Sequence, residues 1–440
     1  MNARYRQIAY DRVLARGAAG YEAFYEALRA RHLKPTPAED PDTLYAPNPV
    51  LVPAAIVQAM TEDLRRFFDH RRGRVRDAQD LLALMPSDLS HILASTEVAA
   101  KILSSLDARL PFSVIDAYLV EGPQGLDRSY LEWQSFPAYP GLAIQVLEAT
   151  MEVFPELAEV GARPHPDPKV GFEQLRERMR GALLPGLDDA RECVIIDIDP
   201  DRQATRWEFR ACQTLTGGPE RGCGIIDPRE VRYEDGRPVY QRNGLAVPIR
   251  TAMSRLVYDD VMQNLVPRLS PDARENLSRF FRDATNVDWL VHPLHFHYGN
   301  KGNFPDFHAA GLSDGLVPCL RVDPELRQRF RDEGRLRLDG WVQKPIEGCA
   351  GRAVTPNPAL DDLEDGSILQ RMIKPASCHR TLAGDREPEV RVMAVPDGRG
   401  GLDCGGLFTR VKAPREFCSN AGITARAAVA GTGEGYGLVI

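Results

Sequence analysis

A change in hydrophobic periodicity along the chain most constrains its fold. Up to about residue 110, apolar residues recur at helical spacing, as Tyr21, Phe24 and Leu28 do on one helical face. From about residue 290 the pattern becomes that of short strands separated by Gly, Pro and Asp. Between these parts, the apolar run 193–198 indicates a strand buried on both faces. The chain is therefore predicted to be an α+β protein with a helical N-terminal region.

The composition is that of an ordinary globular protein. With 43% hydrophobic and 27% charged residues, the 440-residue chain is expected to form about two or three packed lobes. The net charge of −7 argues against broad binding of nucleic acid or membrane surfaces, which needs a basic face. No apolar run reaches the roughly 18 residues that span a bilayer. The N-terminus is predicted to lead into a helix rather than a signal peptide, and the eight cysteines contain no CxxC pair. Reduced thiols and a cytoplasmic location are therefore expected.

Four regions are predicted from these patterns. The helical region covers 1–110, and a strand pair with following helices covers 111–189. A small α/β lobe that contains the buried strand covers 190–290. The strand-rich part covers 291–440.

The segment 341–354 combines a lysine, an acid and glycines in a pattern suited to a nucleotide triphosphate. Lys344 lies on a predicted strand, and Glu347 follows three residues later. Gly348 and Gly351 lie in the turn before a second strand. The lysine can contact phosphate oxygens, the carboxylate can hold magnesium, and glycines let backbone N–H groups approach phosphate. A plain turn with a surface lysine is the alternative that this segment alone leaves open.

The apolar strand predicted at 367–373 is a candidate wall for an adenine ring. Gln370 is the polar residue at its centre, and backbone N–H and C=O groups of such a strand can meet the edge of the base. An ordinary core strand is the simpler interpretation of this segment taken alone.

Three oxygen-bearing side chains suggest a magnesium site. Residues 112–120 and 130–136 are predicted to pair as a hairpin across a glycine-rich turn. Glu132 and Gln134 are two residues apart and so project from one face, where Asp116 joins them if it lies opposite. Mg²⁺ takes one or two carboxylates and shares phosphate oxygens with them. An exposed polar face is the alternative.

Basic residues recur in the last predicted strands. Arg391 alternates with apolar neighbours, as in a half-buried strand, and Arg410 and Lys412 share one face of the next strand. Arginine favours carboxylate or phosphate, whereas lysine acts as a point charge. Together with Lys374, these residues are candidates for binding an anion, although charged strand faces are also common on protein surfaces.

A cluster of histidines is a candidate zinc site. The cluster consists of His292, His295, His297 and His308. Its HxxHxH spacing matches none of the usual zinc patterns. Polar packing around a nucleotide cleft is therefore the preferred interpretation, with Lys301 as the residue of greater interest in this segment.

Taken together, these segments resemble the ATP-grasp carboxylate–amine ligases, and among them the circularly permuted eukaryotic-type glutathione synthetases. The most specific likeness is GLFTRVK at 406–412, followed by NAGITARAAV at 420–429. KPIEG at 344–348 resembles the glycine-rich loop of that family with one residue deleted. Residues 368–373 resemble its adenine-side strand, and 112–137 resemble its metal-binding hairpin. The resemblance covers about half of the chain and implies a circularly permuted ATP-grasp fold, with the small α/β lobe on the substrate side.

The resemblance also implies roles for individual residues. Magnesium, in two ions, would be held by Glu132, Gln134 and Glu347, with Asp116 close by. ATP would be contacted by Lys301, Lys344, Gly348, Gly351, Gln370, Met372 and Lys412. Catalysis would depend on Lys344 and Arg410, and Arg410 would also grip a substrate carboxylate. Ser135 and Arg255 would line the acceptor pocket.

Three departures from the family pattern concern metal and substrate. Gln134 stands where the family has asparagine, which alters the reach of the amide oxygen. The loop between Gly348 and Gly351 contains Cys and Ala instead of a run of three glycines, so its closure is expected to differ. Val114 replaces the arginine that anchors the γ-glutamyl end of the family's substrate, which argues against glutathione itself as the product.

The resulting expectation is an ATP- and Mg²⁺-dependent ligase that makes a dipeptide, by analogy a γ-glutamyl dipeptide, from two small amino acids. A carboxylate is phosphorylated and an amine attacks the acyl-phosphate, with positioning and charge stabilisation as the sources of catalysis. No nucleic-acid or membrane partner is expected, and a homodimer is left open. The alternatives are a ligase acting on a peptide or polyamine, a nucleotide-binding pseudoenzyme with a regulatory role, and a histidine-cluster metalloenzyme.

Overall fold

The computed structural model describes residues 3–31, 33, 45, 47–136, 140–203, 205–257, 260–283, 285–346, 354–412 and 433–440. Its helices are α1 (Ala3–Ala15), α2 (Gly17–Ala30), α3 (Ala54–Arg72), α4 (Ala78–Leu82), α5 (Ser87–Leu93), α6 (Thr96–Ala108), α7 (Pro140–Val153), α8 (Glu156–Glu159), α9 (Phe172–Leu183), α10 (Arg206–Thr216), α11 (Gly218–Arg221), α12 (Pro271–Asp283), α13 (Pro293–Tyr298), α14 (Phe304–Ala309) and α15 (Pro324–Asp332). The helical N-terminal region is thus confirmed by α1 to α6.

The strands belong to four sheets. They are β1 (Val50–Val52), β2 (Ser113–Gly122), β3 (Gly125–Gln134), β4 (Cys193–Ile196), β5 (Gly224–Ile226), β6 (Arg232–Glu234), β7 (Arg237–Arg242), β8 (Leu245–Pro248), β9 (Thr251–Ser254), β10 (Asp288–Val291), β11 (Cys319–Arg321), β12 (Trp341–Pro345), β13 (Thr355–Pro356), β14 (Ser367–Arg371), β15 (His379–Thr381), β16 (Gly384–Pro396), β17 (Leu402–Lys412) and β18 (Gly433–Val439).

The largest sheet joins strands from distant parts of the chain. Its order is β1-β18-β17-β16-β2-β3, with β15 beside β16. β1 and β18 run parallel, whereas the other neighbours run antiparallel. The N-terminal helical region therefore contributes a strand to the same sheet as the C-terminal residues. The predicted domain boundaries stay a prediction.

The predicted hairpin of residues 112–120 and 130–136 is confirmed by β2 and β3. Gly122 and Gly125 are directly opposite each other at its tip. Gly125 has a φ of 115°, a conformation that glycine adopts without steric penalty and other residues rarely adopt. This turn sets the register of the two strands and thereby the positions of their polar side chains.

The two faces of the large sheet differ chemically. On one face, Ile115, Val390 and Leu407 belong to the main hydrophobic core, which also contains residues of α3. On the other face, Val114 and Met393 pack in a second core together with residues of α2 and α7. This second core covers only part of its face, and the remaining part carries charged side chains.

A second sheet is parallel and has the order β10-β9-β4-β5. All four residues of β4 are buried, which confirms the strand predicted from the apolar run at 193–198. The chain passes from β4 to β5 on one side and returns to β9 and β10 on the other. The strand order therefore reverses between β4 and β9, the position at which open α/β sheets form a ligand crevice.

A third, antiparallel sheet has the order β11-β14-β12-β13 and packs on a small core of its own with α15. β12 confirms the strand predicted at Lys344, and β14 confirms the strand predicted at 367–373. A small sheet of β6, β7 and β8 completes a mixed α/β architecture. The ATP-grasp assignment and its circular permutation stay predictions.

Candidate functional site

A row of charged side chains lies on the uncovered part of the large sheet. Asp116 on β2 is directly opposite Glu132 on β3, and Arg391 on β16 is directly opposite Asp116. Arg410 on β17 is directly opposite Glu389 on β16. Residues opposite each other on antiparallel strands project to the same face. The register thus brings together charges that are far apart in the sequence.

Both carboxylate oxygens of Asp116 accept hydrogen bonds from an arginine. Nε and Nη2 of Arg391 donate to its two carboxylate oxygens at 2.5 and 2.6 Å. Nη1 of Arg410 lies 3.7 Å from the same carboxylate. Burial raises the pKa of Asp116, and the guanidinium of Arg391 opposes that rise. Asp116 therefore lies next to the predicted metal ligands, but its lone pairs already accept a bidentate interaction.

Glu132 is held by a buried lysine. Nζ of Lys301 donates to Oε1 of Glu132 at 2.9 Å, and only 6% of Lys301 is exposed. Burial by itself raises the pKa of Glu132, but the Lys301 ammonium and a hydrogen bond from Gln134 outweigh it and lower the pKa to about 2. Glu132 is therefore an anion at neutral pH, and Gln134 forms a hydrogen bond with it. Their role as metal ligands stays a prediction.

Lys344 and Gln370 connect the third sheet to β3. Nζ of Lys344 donates to the carbonyl oxygen of Leu131 at 3.0 Å and to Oε1 of Gln370 at 2.6 Å. Nε2 of Gln370 donates to the carbonyl oxygen of Tyr130 at 2.9 Å. Burial lowers the pKa of Lys344, and Glu132 opposes this effect. Lys344 thus lies near Glu132, at the junction of the large sheet and the third sheet.

The structure corrects the expected adenine contacts of β14. This strand pairs with β11 on one side and β12 on the other, so its backbone groups take part in the sheet. The N–H of Arg371, its last residue, donates to the carbonyl oxygen of Pro318, and the N–H of the next residue, Met372, donates to that of Gly340. The side chain of Gln370 is also engaged, as described above. Met372, 39% exposed, remains available to border a base through its side chain.

Arg410 and Lys412 each face a carboxylate of the chain itself. Nη1 of Arg410 donates to Glu389 at 2.5 Å, and Nζ of Lys412 lies 3.1 Å from Glu387. Both carboxylates are on β16, and both are buried. Sequence reasoning missed these partners. The signal was the spacing of the charges: Glu387 and Glu389 are two residues apart on β16, as are Arg410 and Lys412 on β17, and the two pairs have opposite charge.

Arg255 has an unusual environment in the second sheet. It follows β9 at the carboxyl edge of the sheet, and its N–H donates to the carbonyl oxygen of Ile196 at 2.8 Å. Arg255 therefore lies at the reversal point between β4 and β9, where a ligand crevice is expected. Only 8% of it is exposed, yet Nε and Nη1 find no hydrogen-bond partner among the described residues. Rings of Phe136 and Phe209 lie 4.5 and 5.7 Å from its guanidinium carbon.

Ser135 links this arginine to the metal-site strand. It follows Gln134 directly, and its N–H donates to the carbonyl oxygen of Gly299 at 2.7 Å. Its hydroxyl oxygen is buried and has no hydrogen-bond partner in the part of the chain that the structure describes. Buried polar groups are normally satisfied by protein, water or ligand. Arg255 contacts the ring of Phe136, the residue that follows Ser135. The role of Ser135 and Arg255 in a substrate pocket stays a prediction.

Two residues of the histidine cluster accept hydrogen bonds from backbone N–H groups. Nδ1 of His292 accepts from the N–H of Leu294, and Nδ1 of His295 accepts from the N–H of His292, so both rings cap the start of α13. Burial lowers the pKa of each to about 3. Among the described residues, no group of three or more histidine, cysteine, aspartate or glutamate side chains could hold a metal ion. The zinc alternative is therefore wrong for His292, His295, His297 and His308.

Several predicted residues cannot be placed. Glu347, Gly348 and Gly351 lie outside the described residues, as does the segment 420–429. The third magnesium ligand and the phosphate-binding loop therefore stay predictions. No helix of the described residues is long and apolar enough to cross a membrane.

The chain was compared with family models, curated proteins and solved structures. No family model matches the chain. No curated protein matches it either. Among solved structures, the chain is similar to a glutathione synthetase-like effector from Globodera pallida in its apo form, with 11% identity and a TM-score of 0.48 over 93% of this chain and 94% of that one.

Proposed function

We propose that this protein is an ATP- and Mg²⁺-dependent ligase of the ATP-grasp type that joins a carboxylate to an amine through an acyl-phosphate. The observation that supports this most is the group formed by Lys301, Lys344 and Glu132 where the large sheet and the third sheet meet. Lys301 donates to Glu132, and Lys344 donates to the carbonyl oxygen of the adjacent Leu131. One carboxylate thus lies beside two ammonium groups, and a polyphosphate bound there would offset the remaining positive charge.

The residues present also suit magnesium. Glu132 is ionised at neutral pH, and Gln134 supplies an amide oxygen on the same strand face. Oxygen ligands of this kind, few in number and shared with phosphate, are those that Mg²⁺ takes. Magnesium held there would neutralise charge on the transferring phosphoryl group.

The proposed reaction has two steps. A donor carboxylate oxygen attacks the γ-phosphorus of ATP, the bond to the β–γ bridging oxygen breaks, and ADP leaves. The amine nitrogen then attacks the acyl carbon, the bond to the phosphate oxygen breaks, and phosphate leaves as the nitrogen loses a proton. Lys301 and Lys344 stabilise the charge that develops on the phosphoryl oxygens, and no protein nucleophile is required.

The substrate pocket is proposed to include Arg255 and Ser135. A substrate carboxylate would give the buried guanidinium the hydrogen-bond acceptors that the described residues do not supply. Substrates of amino-acid size, with a γ-glutamyl dipeptide as one product, are therefore proposed. The peptide or polyamine ligase and the regulatory pseudoenzyme are the alternatives.

A screen for ADP release tests this function. The purified protein is incubated with ATP, Mg²⁺ and pairs drawn from the twenty amino acids and simple amines, and products are analysed by mass spectrometry. We expect ADP only when both substrates are present, together with a product whose mass is the sum of the two minus water. ATP binding without ADP release in any pair would favour the pseudoenzyme, and ADP release without a second substrate would indicate a plain ATPase.

A further inference from the structure

We propose that Glu389 fills the place of a substrate carboxylate at Arg410, so that the amine substrate carries no carboxylate group. This inference rests on the proposed ligase function and narrows it. The substrates become a carboxylate donor and a carboxylate-free amine, instead of two amino acids.

The first step is the geometry at Arg410. Glu389 is its direct neighbour across β16 and β17, and the two side chains form a hydrogen-bonded ion pair at 2.5 Å. The side chains are only 12% and 9% exposed. The ring of Phe408 lies 5.2 Å from the guanidinium carbon, and Asp116 lies 3.7 Å from Nη1. Two carboxylates of the chain thus already lie against this arginine.

The second step is the pattern of charge around it. Lys412 pairs with Glu387 and Arg391 pairs with Asp116, so each of the three cations in this row faces a carboxylate from a neighbouring strand. A substrate carboxylate that entered the row would have to displace one of them. The displaced carboxylate would be left buried without its partner, which is strongly unfavourable. An uncharged amine imposes no such displacement.

The third step is the proximity of the row to the reacting groups. Asp116 connects Arg410 to Glu132, because it is opposite Glu132 and within 3.7 Å of Arg410. Nζ of Lys344 in turn donates to the carbonyl oxygen of Leu131, the residue before Glu132, at 3.0 Å. A substrate bound against Arg410 and Glu389 therefore lies beside the proposed phosphate site.

These steps assign the two substrates. One substrate must supply the carboxylate that is phosphorylated, so the carboxylate-free substrate in the row is the amine. Arg255, which contacts Phe136 just beyond the carboxyl end of β3, is then left for the donor. This assignment reverses the expectations that Arg255 lines the acceptor pocket and that Arg410 grips a substrate carboxylate.

Acceptors that differ only in the carboxylate test the assignment. Glycine is compared with glycinamide, and β-alanine with β-alaninamide, in the ADP-release assay with the twenty amino acids as donors. We expect the wild-type protein to prefer each amide by about tenfold or more in kcat/KM, since tenfold corresponds to loss of one modest interaction. Glu389→Ala should shift the preference toward glycine by a similar factor, and Glu389→Gln should shift it less. Equal use of glycine and glycinamide by the wild type, or an unchanged preference in Glu389→Ala, would overturn the inference.

A second measurement needs no turnover. Glu389→Ala is expected to lower the Tm, and sodium acetate should restore part of the loss by occupying the vacated position, whereas sodium chloride of equal ionic strength should not. Glu156→Ala, which removes a paired carboxylate from Arg16 elsewhere, serves as the control and should not respond to acetate. Failure of acetate to raise the Tm of Glu389→Ala would contradict the carboxylate mimicry. Rescue by acetate without ADP from any acceptor would overturn the proposed function and, with it, the acceptor assignment.

Discussion

Nζ of Lys301 donates to Oε1 of Glu132 at 2.9 Å, a contact between residues 169 positions apart in the chain. Lys301 begins a short 3₁₀ turn, and Glu132 is on β3 of the large sheet. The ion pair holds Glu132 ionised where magnesium is proposed to bind. It also places the ammonium near Lys344. This one contact therefore positions a carboxylate of the proposed metal site and an ammonium group of the proposed phosphate site.

Loss of Lys301 is expected to change how stability depends on acid. Glu132 has a folded pKa of about 2 against an ordinary value of 4.5, so its contribution is present above pH 4.5 and is lost as the pH falls toward 2. The Lys301→Met variant lacks the ammonium group that most lowers the pKa of Glu132. The contribution of Glu132 to the free energy of unfolding should therefore be lost in this variant. Urea unfolding should therefore show a difference between wild type and variant that shrinks between pH 4.5 and about 2. The exposed control Lys169→Met should show no such change, and a difference independent of pH would contradict the account.

Arg391→Ala is expected to be strongly destabilising. It leaves Asp116 buried without its bidentate partner, and breaking such a pair costs about 3–5 kcal/mol. The double variant Arg391→Ala/Asp116→Ala should recover part of this loss, because it removes the isolated charge. Chemical denaturation at neutral pH measures both effects. Arg16→Ala, which breaks a more exposed bidentate pair with Glu156, should lose only about 1 kcal/mol or less. A loss of that size in Arg391→Ala would contradict the prediction.

Arg255→Met is expected to separate stability from substrate binding. The guanidinium is buried with two nitrogens that lack partners among the described residues, so its replacement by an apolar side chain should leave the Tm unchanged or raise it. The KM for the carboxylate donor should rise by roughly ten- to a hundredfold, since charge-assisted hydrogen bonds to it are lost. Steady-state kinetics and thermal unfolding test the two halves. A lowered Tm with unchanged KM would indicate a purely structural arginine.

Lys344→Ala and Glu132→Ala are each expected to abolish ADP formation in a protein that stays folded in buffer. Glu132→Ala also leaves Lys301 buried without its carboxylate partner and should be the less stable of the two. Each removes a charge proposed to act on the transferring phosphoryl group, and such losses lower kcat by about a hundredfold or more. Lys169→Ala, with an exposed lysine, is the matched control and should keep full activity. Circular dichroism checks the fold of each variant, and retained activity in both site variants would refute the ligase assignment.

Local sequence patterns predicted the individual strands and the β2–β3 hairpin. They did not predict which distant strands pair with one another. The β2–β3 hairpin follows from alternation and a glycine turn, and the condition that Asp116 lies opposite Glu132 is met. The partner of Asp116 is on β16, and no local signal shows which strand becomes its neighbour. Glu389 was visible as part of an alternating strand, but its meaning depends on pairing with Arg410. The clustering of histidines raised zinc as an alternative, but the spacing matched no usual zinc pattern, and two of the four, His292 and His295, cap a helix.

The most direct test of the central claim is a crystal structure with Mg²⁺ and the non-hydrolysable ATP analogue adenylyl imidodiphosphate. We predict phosphate oxygens within hydrogen-bond distance of Nζ of Lys301 and Lys344, and a magnesium ion about 2.1 Å from an oxygen of Glu132. A nucleotide bound elsewhere, with the contacts of these three side chains unchanged, would contradict the proposed ligase.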